Sequence, residues 1–207
     1  MPPQVKVVAV SKFHPTEQIR EAYDAGQRLF GESRVQELVG KQQELPGDIE
    51  WHFIGSLQRN KVKQIAPFVS LIHSLDSERL MREIEKQGAA CGRVIHCLLQ
   101  VHIAEEETKS GFSPDECRRF LEEGSWKKCP HLQIAGMMGM ATYTDEREQV
   151  HREFRLLKNL FEECKAKYFA DDAAFRELSM GMSGDYPIAL EEGSTLIRVG
   201  TLIFGER

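Results

Sequence analysis

The chain has 207 residues, a formal net charge of −5 and 41% apolar residues, which excludes wholesale disorder and gives no electrostatic footprint for nucleic acid or an anionic membrane. No apolar run reaches the roughly 20 residues that span a bilayer, and the first residues do not form a signal peptide. Five cysteines without a CxxC pair favour reduced thiols. These features predict a cytoplasmic globular protein with one domain over residues 1–207.

Eight short apolar segments alternate with amphipathic segments from one end of the chain to the other. Several of them, such as VKVVAV and VIHCLLQV, are apolar at consecutive positions, as expected for strands that are covered on both faces. We predict strands at 5–10, 28–30, 49–54, 69–73, 94–101, 132–138, 177–180 and 196–199.

Helix signals fill the seven gaps between these strands. The clearest is the set Ser113, Pro114 and Glu116, which predicts an N-cap, a first-turn proline and a capping-box glutamate. Ser33 and Gln36 predict a second capping box. Strict alternation of strand and helix indicates a parallel sheet, and eight repeats close a (β/α)8 TIM barrel. An open doubly wound sheet is the alternative, although its GxGxxG fingerprint is absent after the first strand.

In such barrels the ligand lies at the carboxyl ends of the strands, and five of the eight ends here carry a glycine. Barrels frequently bind phosphate with the loops after strands seven and eight, which here are MGMSGD and RVGT. Ser183 at a helix start, with Gly200 and Thr201 as further donors, therefore predicts a phosphate site. The alternatives are that Ser183 is only an N-cap and that Thr201 only belongs to a turn.

Two basic residues complete the candidate site. Lys12 follows the first strand, and a lysine at the mouth of an apolar barrel is partly desolvated, so that neutral amine becomes available for Schiff-base chemistry. A solvated lysine at a strand end is the alternative. Arg198 lies within the last strand, where a permanent charge needs a partner. That partner is either a carboxylate from a neighbouring strand or a ligand acceptor that stays unprotonated.

Four histidines lie in or beside the predicted strands and suggest a metal site. None of them has HxH or HExxH spacing, so histidines satisfied inside the barrel are the favoured interpretation and no metal is predicted. A metal-dependent barrel hydrolase is accordingly the weakest of the functions considered. The four are His52, His73, His96 and His102.

Seven motifs are spread over the chain: VAVSKxHP, FGExxVQEL, WHFIGxLQxNK, ETKxGF, GMMGMA, SMGMSxD and GSTxIRVGTxIFGER. Together they resemble the pyridoxal phosphate homeostasis proteins, also known as proline synthetase co-transcribed proteins. The resemblance implies a barrel like the N-terminal domain of bacterial alanine racemase and one pyridoxal 5′-phosphate (PLP), held as a Schiff base by Lys12. It also implies that Ser183, Gly200 and Thr201 bind the phosphate. Arg198 is then expected to face the pyridine nitrogen.

Two positions depart from the family's usual pattern. The family has Asn after FGE, where this chain has Ser33, and His in IGHLQ, where this chain has Ser56. The resemblance therefore carries Ser33 over as a cofactor contact in which a hydroxyl replaces an amide.

The resemblance and the charge of Arg198 both favour a PLP carrier over an enzyme. PLP is the best electron sink when its ring nitrogen is protonated, and an arginine cannot supply the carboxylate that usually maintains this state. In the resembling racemase a second domain supplies a tyrosine base, and since this sequence ends soon after the eighth strand we expect no such domain.

The predicted function is therefore PLP homeostasis, meaning storage, buffering or delivery, with Lys12 as the reversible tether. We expect a monomer whose recipients, where it delivers PLP, are apo PLP-dependent enzymes. A weak amino-acid racemase is the alternative, with Tyr143, His102 or Cys97 as its acid or base.

Overall fold

The computed structural model describes residues 5–105 and 110–205, and its centre is a closed barrel of eight parallel strands in chain order. Pairing between the first and the last strand closes the sheet, with Lys6 opposite Leu196 and Ala9 opposite Val199. The predicted TIM barrel is confirmed. The strands are β1 (Lys6–Val10), β2 (Leu29–Glu32), β3 (Glu50–Phe53), β4 (Leu71–Leu75), β5 (Ile95–Gln100), β6 (Leu132–Met138), β7 (Glu177–Ser179) and β8 (Leu196–Val199).

Helices follow the strands and cover the outside of the barrel. Because the sheet has helices on one face and a filled interior on the other, a strand such as β4 is buried at every position, including its polar residues His73 and Ser74. The helices are α1 (Thr16–Asp24), α2 (Val35–Glu44), α3 (Val62–Ile65), α4 (Glu78–Cys91), α5 (Pro114–Glu123), α6 (Arg147–Tyr168), α7 (Tyr186–Glu191) and α8 (Thr201–Phe204), with 3-10 turns at Arg59–Lys61 and Ser125–Lys128.

The capping box predicted for α5 is confirmed. The Ser113 hydroxyl accepts a hydrogen bond from the Glu116 N–H, and the Glu116 carboxylate accepts one from the Ser113 N–H. Pro114 occupies the first turn, and the helix ends at Gly124, which adopts the left-handed conformation with φ of 68°.

Two capping roles considered from the sequence, for Ser33 and for Ser183, do not form. The capping box at Ser33 and Gln36 does not form, because β2 runs on to Glu32 and α2 begins only at Val35, with no side-chain cap. Ser183 does not cap α7, since Asp185 occupies the N-cap position. The four-residue helix α8 was not predicted, because one turn is too short to show a periodic apolar pattern.

A packed interior closes the barrel below its carboxyl end. Six buried apolar side chains from five strands fill it, as is usual for barrels of eight strands. They are Val8, Leu71, Leu98, Ala135, Met138 and Leu196. None of the helices in the described part of the chain has both the length and the apolar character needed to cross a membrane.

A substitution at Gly136, which lies opposite Glu177, tests the register between β6 and β7. Its φ is 149°, and a Cβ added there would lie 2.7 Å from the carbonyl carbon of Glu177. We expect Gly136→Ala to lower the free energy of unfolding by roughly 2–4 kcal/mol, through backbone strain and overpacking, in urea unfolding followed by circular dichroism. The control is Gly40→Ala in α2, where an added Cβ meets nothing within 4 Å and is expected to stabilise by up to about 1 kcal/mol. Equal stability of Gly136→Ala and the wild type would contradict the register.

Candidate functional site

All six predicted site residues lie at one mouth of the barrel. Arg198 lies within β8, and the others lie in the segments that follow β7, β8, β1 and β2, which are neighbours in this order. Because the strands are parallel, their carboxyl ends meet at the same end of the barrel. The residues are Lys12, Ser33, Ser183, Arg198, Gly200 and Thr201.

The residues predicted to bind phosphate lie side by side. The Ser183 Oγ accepts a hydrogen bond from the Gly200 N–H at 3.3 Å, which joins the loops after β7 and β8. Thr201 begins α8 directly after Gly200, and the first amide groups of a helix have no acceptor within that helix. Loops after strands seven and eight together with a short extra helix are the arrangement in which barrels frequently bind phosphate.

Arg198 is held inside the mouth by neutral groups. Its side chain is buried, with 5% of the residue exposed. Nη1 donates to the Ser179 Oγ at 2.6 Å, and Nη2 donates to the Gly139 carbonyl at 3.3 Å. Burial lowers the pKa of Arg198 to about 10, although the attraction to the Asp185 carboxylate acts to raise this pKa. The guanidinium therefore stays charged at neutral pH. Within the described residues it forms no ion pair, so the carboxylate partner considered from the sequence is not what the structure shows.

A chain of hydrogen bonds continues from Arg198 into the barrel. The Ser179 Oγ lies 3.1 Å from the His73 Nδ1, and the His73 Nε2 lies 3.0 Å from the His52 Nδ1. An arginine only donates, so Ser179 accepts from Arg198 and is left with its own hydroxyl proton to donate to His73. In this polarity His73 carries its proton on Nε2 and donates to His52.

Sequence reasoning placed these two histidines in the barrel but missed that they support Arg198. Burial lowers the pKa of His52 to about 3 and the pKa of His73 well below its usual value, so both rings are neutral at physiological pH. The available signal was that His52 and His73 lie beside large apolar residues within predicted strands, in WHFI and LIHSL, whereas Ser179 in ELSM gives no such signal. In residues 5–105 and 110–205, no group of three or more histidine, cysteine or acidic side chains has a geometry that could hold a metal ion.

Lys12 and Ser33 lie on the β1 and β2 side of the mouth, and both are half-buried. The Lys12 ammonium takes part in no hydrogen bond or ion pair within the described residues, so its amine remains available to a ligand. The next residue, Phe13, has φ of 67°, a left-handed conformation that residues other than glycine rarely adopt.

The three side chains considered as an acid or base are placed very differently. Cys97 is fully buried in β5, and burial raises the pKa of its thiol. Tyr143 is 98% exposed in the loop after β6, while His102 is half-buried after β5. The first three residues of the ETKSGF motif, 107–109, lie outside the described residues.

Comparison with known proteins identifies the family. The family model of the alanine racemase N-terminal domain matches residues 1–207. The pyridoxal phosphate homeostasis protein of Aquifex aeolicus is 42% identical over 203 residues, which cover 98% of this chain and 87% of that protein. The pyridoxal phosphate homeostasis protein of Helicobacter pylori (strain 26695) is 40% identical over 204 residues, with 98% and 88% covered.

The chain belongs to the pyridoxal phosphate homeostasis protein family.

Solved structures agree with this assignment. PipY of Synechococcus elongatus, solved with PLP bound, superposes with a TM-score of 0.88 at 38% identity, covering 99% of this chain and 94% of PipY. The alanine racemase of Clostridium difficile shares the fold, with a TM-score of 0.78 at 12% identity, covering 100% of this chain and 54% of the racemase.

The buried histidines predict a pH dependence of stability. Unfolded histidine binds protons below about pH 6.5, whereas folded His52 stays neutral down to about pH 3. Stability is therefore present above pH 6.5 and is lost as the pH falls toward 3, with a slope of up to about 1.4 kcal/mol per pH unit for this group. We expect His52→Gln to flatten the slope of unfolding free energy, measured by urea unfolding between about pH 7 and pH 4. An unchanged slope would show that His52 is protonated in the folded state.

Proposed function

We propose that this protein binds PLP and stores, buffers or delivers it in the cytoplasm as a monomer, without catalytic turnover of its own. The observation that carries the proposal is the set of groups at one mouth of the barrel. It consists of an available amine on Lys12, a buried guanidinium on Arg198 that is held by Ser179 and Gly139, and hydroxyl and amide donors in the loops after β7 and β8. Membership of the family supports it, and PipY with PLP bound is a structural neighbour.

Each part of PLP has a complementary group in this set. The phosphate matches the hydroxyl groups of Ser183 and Thr201 and the helix-start amides that follow Gly200, whose own N–H donates to the Ser183 Oγ. The pyridine nitrogen matches Arg198, because a guanidinium only donates and an unprotonated nitrogen only accepts. Ser33, half-buried after β2, is assigned as a further polar contact.

Lys12 is assigned as the tether. PLP supplies an aldehyde, which reacts reversibly with a neutral amine. The Nζ of Lys12 forms the C=N bond, and the aldehyde oxygen leaves as water. Because water reverses the reaction, the tether allows both storage and release.

The surroundings of the site support a carrier over an enzyme. Arg198 keeps the ring nitrogen without a proton, which weakens the electron sink that amino-acid chemistry on PLP needs. Cys97 is fully buried in the barrel wall and is not accessible as an acid or base, whereas His102 and Tyr143 line a cleft beside the mouth and are the residues on which the racemase alternative depends.

Delivery to apo PLP-dependent enzymes is part of the proposal. Large apolar side chains are exposed in the loops around the same mouth, where a recipient protein would have to approach. They are Phe13, Met140, Tyr143, Met182, Leu202 and Ile203.

The tether is tested by chemical fixation. We expect wild-type protein given PLP to gain an absorbance band that borohydride abolishes, with one pyridoxyl group per chain found on Lys12 by peptide mapping. Lys12→Ala is expected to lose the band and the fixed group, whereas Lys63→Ala, which changes an exposed lysine of α3, is expected to keep both. A fixed group at one equivalent in Lys12→Ala would overturn the tether, and a wild-type protein that gains no band would overturn PLP binding.

The racemase alternative is tested by proton exchange. If the protein is a carrier, we expect PLP-loaded protein to incorporate no deuterium from solvent at the Cα of any of the standard amino acids, measured by proton NMR. The control is the same experiment with Lys12→Ala. Exchange that depends on Lys12 would establish catalysis and overturn the carrier proposal.

A further inference from the structure

A buried charged cluster beside Lys12 has no part in the function proposed above. Glu32 ends β2, Glu37 and Lys41 lie on α2, and Ser11 follows β1. We propose that Lys41 and Glu37 are positioning residues for Lys12, holding the two peptide groups that flank it so that its amine is presented to the PLP aldehyde. This inference rests on the proposed function.

Lys41 holds the peptide group before Lys12. Its side chain is only 9% exposed, and its Nζ donates to the Ser11 carbonyl at 2.8 Å and to the Glu32 Oε1 at 2.7 Å. The Ser11 carbonyl belongs to the peptide bond that joins Ser11 to Lys12. A charge-assisted hydrogen bond in a site nearly closed to water therefore fixes the peptide group that precedes Lys12.

Glu37 holds the peptide group after Lys12. Its Oε2 accepts a hydrogen bond from the Phe13 N–H at 2.9 Å and lies 3.4 Å from the Lys41 Nζ. Partial burial alone would raise the pKa of Glu37, but the Phe13 N–H and Lys41 lower it, so the carboxylate is charged at neutral pH. Two residues four apart on one helix thus hold both sides of Lys12.

The turn needs this support because its backbone is strained. Phe13 adopts φ of 67°, which costs a residue other than glycine about 1–2 kcal/mol. Such a conformation persists only where surrounding contacts impose it. The bond from Glu37 is made to the N–H of this strained residue itself.

Glu32 keeps Lys41 in place. It is fully buried, and its Oε1 accepts from both the Ser11 hydroxyl, at 2.6 Å, and Lys41. Among residues 5–105 and 110–205 its Oε2 has no hydrogen-bond partner, and burial raises the pKa of this carboxyl despite the hydrogen bonds from Lys41 and Ser11, which lower it. Desolvation offsets most of what such a pair adds to stability, so stability alone does not explain a pair buried at this mouth.

The experiment compares PLP with pyridoxine 5′-phosphate, which has the same ring and phosphate but an alcohol in place of the aldehyde. Lys41→Met and Glu37→Gln are each expected to slow formation of the borohydride-reducible link at least tenfold, because misplacing a reacting group by about 1 Å costs up to about 10²-fold. Both variants are expected to keep the wild-type affinity for pyridoxine 5′-phosphate within about twofold, since ring and phosphate contacts remain. The matched controls are Lys63→Met and Glu21→Gln, which change exposed side chains.

The outcomes separate this inference from the proposed function. Equal loss of affinity for both ligands would show that the cluster only supports the fold, and a wild-type rate in both variants would show that it does not act on Lys12. Either result overturns the inference. A wild-type protein that takes up neither ligand would overturn the proposed function itself. If Lys41→Met does not fold, Glu37→Gln decides the question, because that carboxylate is 24% exposed and its loss leaves no charge buried without a partner.

Discussion

The pairing of β8 with β1 is the interaction on which the site depends. It places Val8 opposite Arg198 and Ala9 opposite Val199, so the chain segments that leave the two strands emerge next to each other. In an open eight-stranded sheet these two strands would lie at opposite edges, about 34 Å apart at the usual strand spacing. Closure is therefore what brings Lys12 beside the loops that hold Ser183 and Gly200.

Two arrangements of buried polar groups then shape the mouth. In one, Ser179 and the neutral histidines behind it hold a guanidinium without neutralising it. In the other, Lys41 and Glu32 hold the turn at Ser11 without touching the amine of Lys12. The first arrangement gives the buried guanidinium hydrogen-bond partners, and the second pairs the buried charges of Lys41 and Glu32, while each leaves one basic side chain able to meet a ligand. The mouth therefore contains residues that hold Arg198 and the turn before Lys12 in place, in addition to the residues proposed to contact the ligand.

The sequence predicts the strands well because most residues of a barrel wall are apolar, and the predicted bounds of β6 and β8 are those observed. It predicts the helix starts less well, because a serine before a helix is an N-cap only where it directly precedes the first helical residue. The length of the preceding strand decides this position. At Ser33 the strand continues to Glu32, whose burial depends on Lys41, nine residues further on. The support of Arg198 depends on the contact between His73 and Ser179, which are 106 residues apart, and no local pattern records such a contact.

The balance of forces at this mouth is suited to holding PLP reversibly. Under the proposed function the phosphate is bound by uncharged donors, whose hydrogen bonds to a charged acceptor are each worth roughly 1.5–3 kcal/mol, and the described loops after β7 and β8 contribute no lysine or arginine. Under the proposed function, the covalent link to Lys12 therefore carries a large share of the affinity. Such a link is released by water or by exchange with another amine, without breaking a strong electrostatic clamp on the phosphate. An enzyme that must keep its cofactor through many turnovers benefits from tight phosphate binding, whereas a carrier benefits from an affinity that one reversible bond controls.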